Sequence, residues 1–336
     1  MEALNALVLL SNYVLIPAFA YGSQLALGAL GITLIYGILR FSHFAHGDVM
    51  AFGTASVILT TWWLQSAGYS LGFLPTALLA LPVGIAFTIG YLLLVDRVVY
   101  RFYRRVKAKP MIFVMASLGV MFVTNGLTRL LIGPGEQRFA DGTRFVISAR
   151  EFRALTGLDE GLALRTTQVL TVVVALVAMI VLFWFLNRTR SGKSMRAYSD
   201  NEDLALLSGI NPERVVMITW IIAGTLMLLA GTLYGLDKTY RPFTFFQLLL
   251  PMFAAAIVGG LGNPLGAIIG GYIVAFSELG VTYAWRRFAG YFLPDDWIPE
   301  GLMQVLPVDY KFAVTFAILV MVLLFRPTGI FKGKSV

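Results

Sequence analysis

Few side chains in this 336-residue sequence are equipped for chemistry, and their spacing narrows the options. His43 and His46 stand three apart, which on a helix puts both imidazoles on one face, as a metal site would want. The nearest third ligand is Asp48, which leaves too few donors for an ordinary tetrahedral site. Helix capping or loop packing accounts better for the two histidines, and neither a metal nor another cofactor is expected. The chain has no cysteine, which excludes a disulfide framework, a thiolate site and a Cys nucleophile. Ser191-Gly192-Lys193-Ser194 has the tail of a phosphate-binding loop. Its first glycine would fall on Asn187, however, and no strand precedes it, so ATP hydrolysis by this chain is not expected. Neither a Gly-x-Ser-x-Gly elbow nor a His-Glu-x-x-His pair occurs, and no catalytic residue is assigned. Glu278 is different. It lies within an apolar run, where a charge costs about 2.5–3.5 kcal/mol and marks a functional candidate by default. A position near the outer interface would make it cheaper.

Two short polar interruptions join Glu278 as candidates for a translocation path: Phe44, His46, Gly47 and Asp48 early in the chain, and Gly259, Gly260, Gly262 and Asn263 late in it. Non-helical backbone inside a membrane is tolerated only where protein or water satisfies its polar groups. Paired Gly/Pro breaks in two halves point to inverted repeats around a central pathway. The plainer readings are that Asp48 caps the next helix and that the glycines let helices pack closely.

The elements that must position these residues follow from composition. Hydrophobic residues make up 58% of the chain and charged ones only 13%, with a mean hydropathy of +0.79, whereas soluble domains carry about 25% charged residues. The surplus apolar surface must face lipid. A spanning helix needs about 20 apolar residues to cross roughly 30 Å of hydrocarbon. Candidate spans lie near 14–39, 49–66, 72–95, 111–132, 168–187, 213–236, 245–260, 264–283 and 309–326. The stretch Leu4–Ile16, which ends at Pro17, is a tenth crossing, a bent extension or an interfacial helix. The segments 245–260 and 264–283 are two crossings or one broken element. The N-terminus lacks the basic region and cleavage site of a removable signal, so the spans are expected to drive insertion. The prediction is an all-α integral membrane protein: a polytopic helical bundle of about 8–10 transmembrane helices forming one domain over 1–336.

Charge sets the orientation. Arg97, Arg101, Arg104, Arg105, Lys107 and Lys109 crowd one connection, Arg188, Arg190, Lys193, Arg196 and Arg214 another, and Arg326, Lys332 and Lys334 the C-terminal tail. Lys and Arg accumulate in cytoplasmic loops, so all three regions, the C-terminus included, are expected in the cytoplasm. The connection 133–167 has five basic and five acidic residues and is expected outside, with 284–308. The net charge of +8 is thus a topogenic signal, and no nucleic-acid partner is expected.

The most informative connection is 188–214. Ser199 followed by Glu202 fits a capping box, and Asp200, Glu202 and Asp203 suit the positive end of a helix beginning there. Gly209 is a natural stop, after which Asn211 and Pro212 open the next helix. The expected helix is short enough to need a docking surface. Leu204, Ala205, Leu206 and Leu207 supply its apolar side. Packing on the chain's own spans is the plainer role.

The stretch Ser194–Gly235, with Arg196-Ala197, Gly209-Ile210-Asn211 and Ala230-Gly231-Thr232-Leu233-Tyr234-Gly235, resembles the coupling-loop region of permeases from branched-chain amino-acid ABC importers. Phe44-Ala45-His46-Gly47-Asp48 looks like that family's Phe-Ala-His-Gly-acidic motif, with His43 where the family has asparagine. Val258–Ala267 is similar to its glycine-rich late motif, and Phe325-Arg326-Pro327-Thr328-Gly329-Ile330-Phe331 to its C-terminal signature. The resemblance covers nearly the whole chain and points to the LivH type. It implies a permease in the inner membrane of a bacterium, paired with a second, LivM-type permease chain, two cytoplasmic ATPase subunits and an extracytoplasmic substrate-binding protein. It also implies that the helix between Ser199 and Gly209 docks into a cleft of the ATPase. Branched-chain amino acids are the expected cargo, with urea, amides or other amino acids as the alternatives within the family. An ion-coupled secondary transporter would want more acids at membrane depth than Asp48 and Glu278. A passive channel has no use for a capped docking helix.

Overall fold

The computed structural model describes residues 1–294, 301 and 303–331; Asp295–Glu300 of the expected outer segment, and Lys332 and Lys334 of the basic tail, lie outside them. Thirteen helical elements carry the described chain. The first is α1, Glu2–Leu39, followed by α2, His46–Ser66, then α3, Ala77–Arg105, and α4, Pro110–Ile132. After a loop come α5, Ala149–Thr156, α6, Thr166–Arg188, α7, Arg190–Asp200, and α8, Glu202–Leu207. The last five are α9, Pro212–Asp237, α10, Pro242–Gly259, α11, Pro264–Thr282, α12, Arg286–Ala289, and α13, Val308–Phe325. Eight of these are long and apolar enough to cross a membrane: α1, α3, α4, α6, α9, α10, α11 and α13. Helix α2 is also long, at 21 residues, but it is more polar and mostly buried.

The starts of several spans are set by proline at a first helical position, where its missing N–H costs nothing: Pro110, Pro212, Pro242 and Pro264 all stand there. Pro17 acts differently. It cannot donate to the carbonyl one turn back, and residues Ser11–Leu15 widen into a π-turn that absorbs the missing bond. The Leu4–Ile16 stretch is therefore an extension of the first span and not a separate crossing. Helix α3 also runs on through a π-turn at Asp96–Tyr100 to Arg105, so most of the expected basic loop, Arg97 to Arg105, is helical.

Helix α1 is the axis of the bundle. Nearly every side chain from Ala18 to Ile38 is buried, with α9 and α11 packed along it. The segments 245–260 and 264–283, left open by the sequence as one element or two, are the antiparallel helices α10 and α11. Glycine lets their backbones touch: a Cβ on Gly266 would lie 2.2 Å from the Gly259 carbonyl oxygen, and one on Gly270 would lie 2.1 Å from that of Ala255.

Side-chain contacts sort the helix ends into two sets. At one end, Asn5 meets Asp159 (3.0 Å), and Asp141 accepts from Gln65 (2.9 Å) and from the Thr76 amide (2.7 Å). Arg241 pairs with Glu136, and Gln137 bridges Tyr240. The connection 133–165 lies across this end as a two-stranded ladder, Phe145–Ile147 with Leu164–Arg165, plus α5. Ser148 and Glu151 cap α5 reciprocally, and Gly157 closes it in the left-handed conformation. At the other end stand the termini of α1, α3 and α10, the start of α9, helices α7 and α8, and residues 326–331.

Two outcomes are expected. Gly266→Val should destabilise the protein by about 1–3 kcal/mol through overpacking, read as a lower Tm in detergent. Gly119→Val, which meets nothing within 4 Å, should leave Tm unchanged. Burial raises the Asp141 carboxyl, but the Thr76 and Gln65 hydrogen bonds outweigh that and hold it below the usual carboxylate value. Its contribution is therefore complete above about pH 4 and fades as the pH falls further. Limited proteolysis should show the 133–165 connection opening as the pH drops through that range, and Asp141→Ala should open it already at neutral pH.

Candidate coupling surface and translocation segments

Helices α7 and α8 form an arm between two spans. Thr189 starts it, its hydroxyl accepting from the Gly192 amide at 3.0 Å, and Gly192 lies so close to α6 that a Cβ there would be 2.2 Å from the Phe185 carbonyl. The arm therefore turns sharply out of α6. Met195 and Tyr198 face inward. The Tyr198 hydroxyl, raised by burial and by the carboxylate it contacts, stays protonated and donates to Glu202 at 2.6 Å, stitching α7 to α8.

The capping box expected at Ser199 and Glu202 does not form. Ser199 sits in the last turn of α7, and the cap of α8 is Asn201, whose extended backbone lets its side chain accept from the Leu204 amide at 3.0 Å. Asp200 consequently ends α7 instead of opening α8; only Glu202 and Asp203 occupy the first turn. The stop at Gly209 is as the sequence indicates: φ is +80°, the Gly209 amide bonds Leu206 and the Ile210 amide bonds Ala205, both at 3.0 Å, the paired bonds of a Schellman ending. Asn211 then caps α9, accepting from Arg214 at 3.3 Å.

The resulting six-residue helix is too short to persist alone, and its apolar residues divide sharply. Ala205 is 4% exposed and anchors the helix, whereas Leu204, Leu206 and Leu207 are 61%, 43% and 86% exposed. Behind the arm, Asp96 joins α3 to α9. It pairs with Arg104 through two contacts (2.5 and 2.8 Å) and accepts from the Trp220 indole at 2.7 Å, while Glu213 lies 3.3 Å from Arg101. Asp96 is not among the residues that local sequence patterning singles out. Its signal was an acid placed between an apolar run and six basic residues.

The early break spans Phe41–Ala45. Arg40 ends α1 in the left-handed conformation at φ +58°, turning the chain back into the bundle. His46, Gly47 and Asp48 are not part of the interruption but the first turn of α2. Phe44, partly exposed, bonds Ser117 through its amide at 3.2 Å and its ring stands 5.5 Å from that of Phe253. Ser117 is two turns into α4, so this non-helical backbone lies about 10 Å inside the helical layer. His43 and His46 are enclosed, with His43 edge-on to Trp220 and Tyr100. Asp48 accepts from Asn125 at 2.7 Å, and its second oxygen has no partner. Gly47 presses against the Phe245 carbonyl.

The late break, Gly260–Asn263, is at the arm end of the bundle. Gly260 and Gly262 have positive φ, and Asn263 caps α11 by accepting from Gly266 at 3.1 Å. The C-terminal segment closes the end of α10 from outside: the amides of Ile330 and Phe331 donate to Val258 (2.8 Å) and Gly259 (3.2 Å). Glu278 is elsewhere, buried between α1, α11 and α13, where Thr315 donates to one oxygen and Tyr21 approaches without hydrogen-bond geometry. The fold thus brings Gly262 beside Ser199 and Asp200 around one cavity, while Glu278 stands apart from both breaks.

Three relatives match across nearly the whole length. The permease protein LivH of the high-affinity branched-chain amino acid transport system in Escherichia coli K12 is 30% identical over 322 residues, covering 94% of this chain and 93% of its own. LivH of Salmonella typhimurium is 29% identical with the same coverage. BraD of Pseudomonas aeruginosa is 28% identical, covering 96% of each chain. No solved structure matches significantly. A family model described as the permease component of the branched-chain amino acid transport system matches residues 15–323. With its helical, multi-pass membrane architecture, the chain belongs to that permease family.

Proposed function

We propose that this chain is the permease subunit of an ATP-driven, binding-protein-dependent importer of branched-chain amino acids in the bacterial inner membrane. The observation that carries this reading is the arm: a doubly capped helix holding three leucines out into solvent at the end of the bundle where the basic residues gather. That end is cytoplasmic by the bias of Lys and Arg, and the 133–165 connection, with its even charge, is on the outside. The C-terminal segment 326–331 is then cytoplasmic too.

Burying a leucine side chain is worth about 1.5–3 kcal/mol. Three on so small a helix form the centre of an interface, and Glu202 and Asp203 beside them give it a polar rim. A cytoplasmic ATPase subunit is the partner that such a surface fits. One such contact per permease implies two ATPase subunits for a pair of permeases, the second a related LivM-type chain. An extracytoplasmic binding protein supplies substrate to the 133–165 face. Hydrolysis belongs to the ATPase, and this chain supplies the path and the lever. The substrate follows from the relatives, whose names specify branched-chain amino acids.

Around the path we assign Phe44, His46, Gly47 and Asp48, the turn Gly259, Gly260, Gly262 and Asn263, and Glu278. The early break is where backbone leaves the helix inside the bundle, the late one closes the bundle beside the arm, and Asp48 and Glu278 each keep an oxygen without a partner. Binding of ATP draws the two ATPase subunits together, the arms follow, and the spans attached to them rearrange around these segments.

Leu204→Asp should abolish both substrate uptake and stimulated ATP hydrolysis in proteoliposomes, because it sets a carboxylate in the centre of the contact. Loss of one leucine contact, about 2 kcal/mol, already weakens docking roughly 30-fold. Insertion and Tm of the isolated permease should be unchanged, since the side chain is exposed. Normal uptake by the variant would refute the arm as the ATPase contact. Tagged permease purified from native membranes should also bring down a soluble ATPase and a second permease; repeated recovery of an active chain alone would point to an ion-coupled transporter.

A further inference from the structure

Arm and core meet at one joint. The Ser199 hydroxyl donates to the Gly37 carbonyl at 2.9 Å, and Arg40 Nη2 donates to the Ser199 carbonyl at 2.7 Å. Gly37 and Arg40 end α1, and Ser199 ends α7. The last carbonyls of a helix have no partner within it, and a cation is favoured at that negative end. Each helix therefore caps the other: α7 supplies a hydroxyl to the end of α1, and α1 supplies a guanidinium to the end of α7.

Arg40 also sets the direction of the early break. Its left-handed backbone sends Phe41 to stack on Phe113 and against Tyr100, and sends the Phe44 amide to Ser117. Arg40 is thus continuous with the segment leading to His46, with no helix end or flexible linker between them. Next to the joint is a cavity of about 190 Å³ lined by Thr33, Gly37, Met195, Ser199, Gly262 and Pro264. The joint therefore has room to shift against the α10–α11 turn without separating its own hydrogen bonds.

We propose that Arg40 and Ser199 are positioning residues that carry movement of the arm into α1 and the early break, and that this joint stays closed throughout the transport cycle. The proposal rests on the arm being the ATPase contact. It adds the route by which that contact reaches the membrane interior.

The test uses the assembled importer in proteoliposomes and measures leucine taken up per ATP hydrolysed. Arg40→Ala should keep ATPase assembly and hydrolysis while lowering that ratio at least tenfold. Arg40→Lys, which retains a cationic donor, should recover most of it. A ratio unchanged in Arg40→Ala overturns the proposal. So does loss of assembly in that variant, because the bonds would then hold the fold and not carry motion. The chain has no cysteine, so a Gly37→Cys/Ser199→Cys pair can be joined cleanly; a Cβ at Gly37 lies 3.4 Å from Ser199 Oγ. Oxidised, the pair should transport within twofold of its reduced form. Arrest on oxidation with recovery on reduction would show that the joint must open, and would also overturn the proposal. The Leu204→Asp experiment separates the two levels: if that variant transports normally the arm reading fails, whereas normal coupling in Arg40→Ala removes only the joint.

Discussion

Backbone amides and carbonyls that leave a helix inside a membrane must find partners within the protein, since lipid offers none. In this chain that requirement is met at two places. At Phe41–Ala45 the partners come from α4 and from the adjoining first turn of α2. At the end of the bundle, the Gly260–Asn263 turn is closed by the Asn263 amide on the Gly260 carbonyl, and residues 330–331 cover the Val258 and Gly259 carbonyls just before it. Helix α1 can be the axis of the bundle because it ends at one of these breaks and passes beside the other. The arm can lean on both because they share one end of the molecule. The positions of the leucine surface, the Asp96 cluster and the cavity all follow from that arrangement.

Polar chemistry in the interior is distributed according to what it must hold. Asp96 is fully engaged, with a guanidinium on both oxygens and an indole on one. A buried acid so paired anchors the end of α3 to α9. Asp48 and Glu278 are only half engaged. An incompletely satisfied buried carboxylate is costly to keep, and natural folds retain such groups where a ligand, an ion or water takes the remaining valence. The contrast separates a structural acid from two that belong with the proposed path, although all three are buried.

Much of the fold was legible in the sequence because strong local signals agreed with hydropathy. Prolines at 110, 212 and 264 mark span starts within a residue or two, and Gly209 marks the end of the arm. The capping box Ser148–Glu151 was equally legible, yet it lay in a connection read only for its charge. The Ser199 cap failed for a different reason. Ser199 and Asn201 are both competent caps for a helix beginning near residue 200, and local rules do not choose between them. The choice was made by α7, a helix begun ten residues earlier at Thr189 whose glycine- and serine-containing sequence gives little warning of it. Once α7 runs through Ser199, that hydroxyl is available to Gly37, a contact 162 positions away in sequence. The extension of α3 through four basic residues, Arg97, Arg101, Arg104 and Arg105, was hidden similarly, because Glu213 and Asp96 neutralise part of the charge only after folding. Which surfaces of the bundle meet a partner chain is a property of two sequences, and one sequence holds only half of it.

The pairing of Ile330 and Phe331 with the end of α10 has a temporal side. The carbonyls of Val258 and Gly259 emerge from the ribosome and enter the membrane well before the amides that will cover them. Until α13 and the segment beyond it are in place, the Val258 and Gly259 carbonyls at the end of α10 lack these two amide donors. A nascent permease is therefore chemically distinguishable from a finished one at that spot. A chain truncated before residue 330 would keep those two carbonyls without these donors permanently.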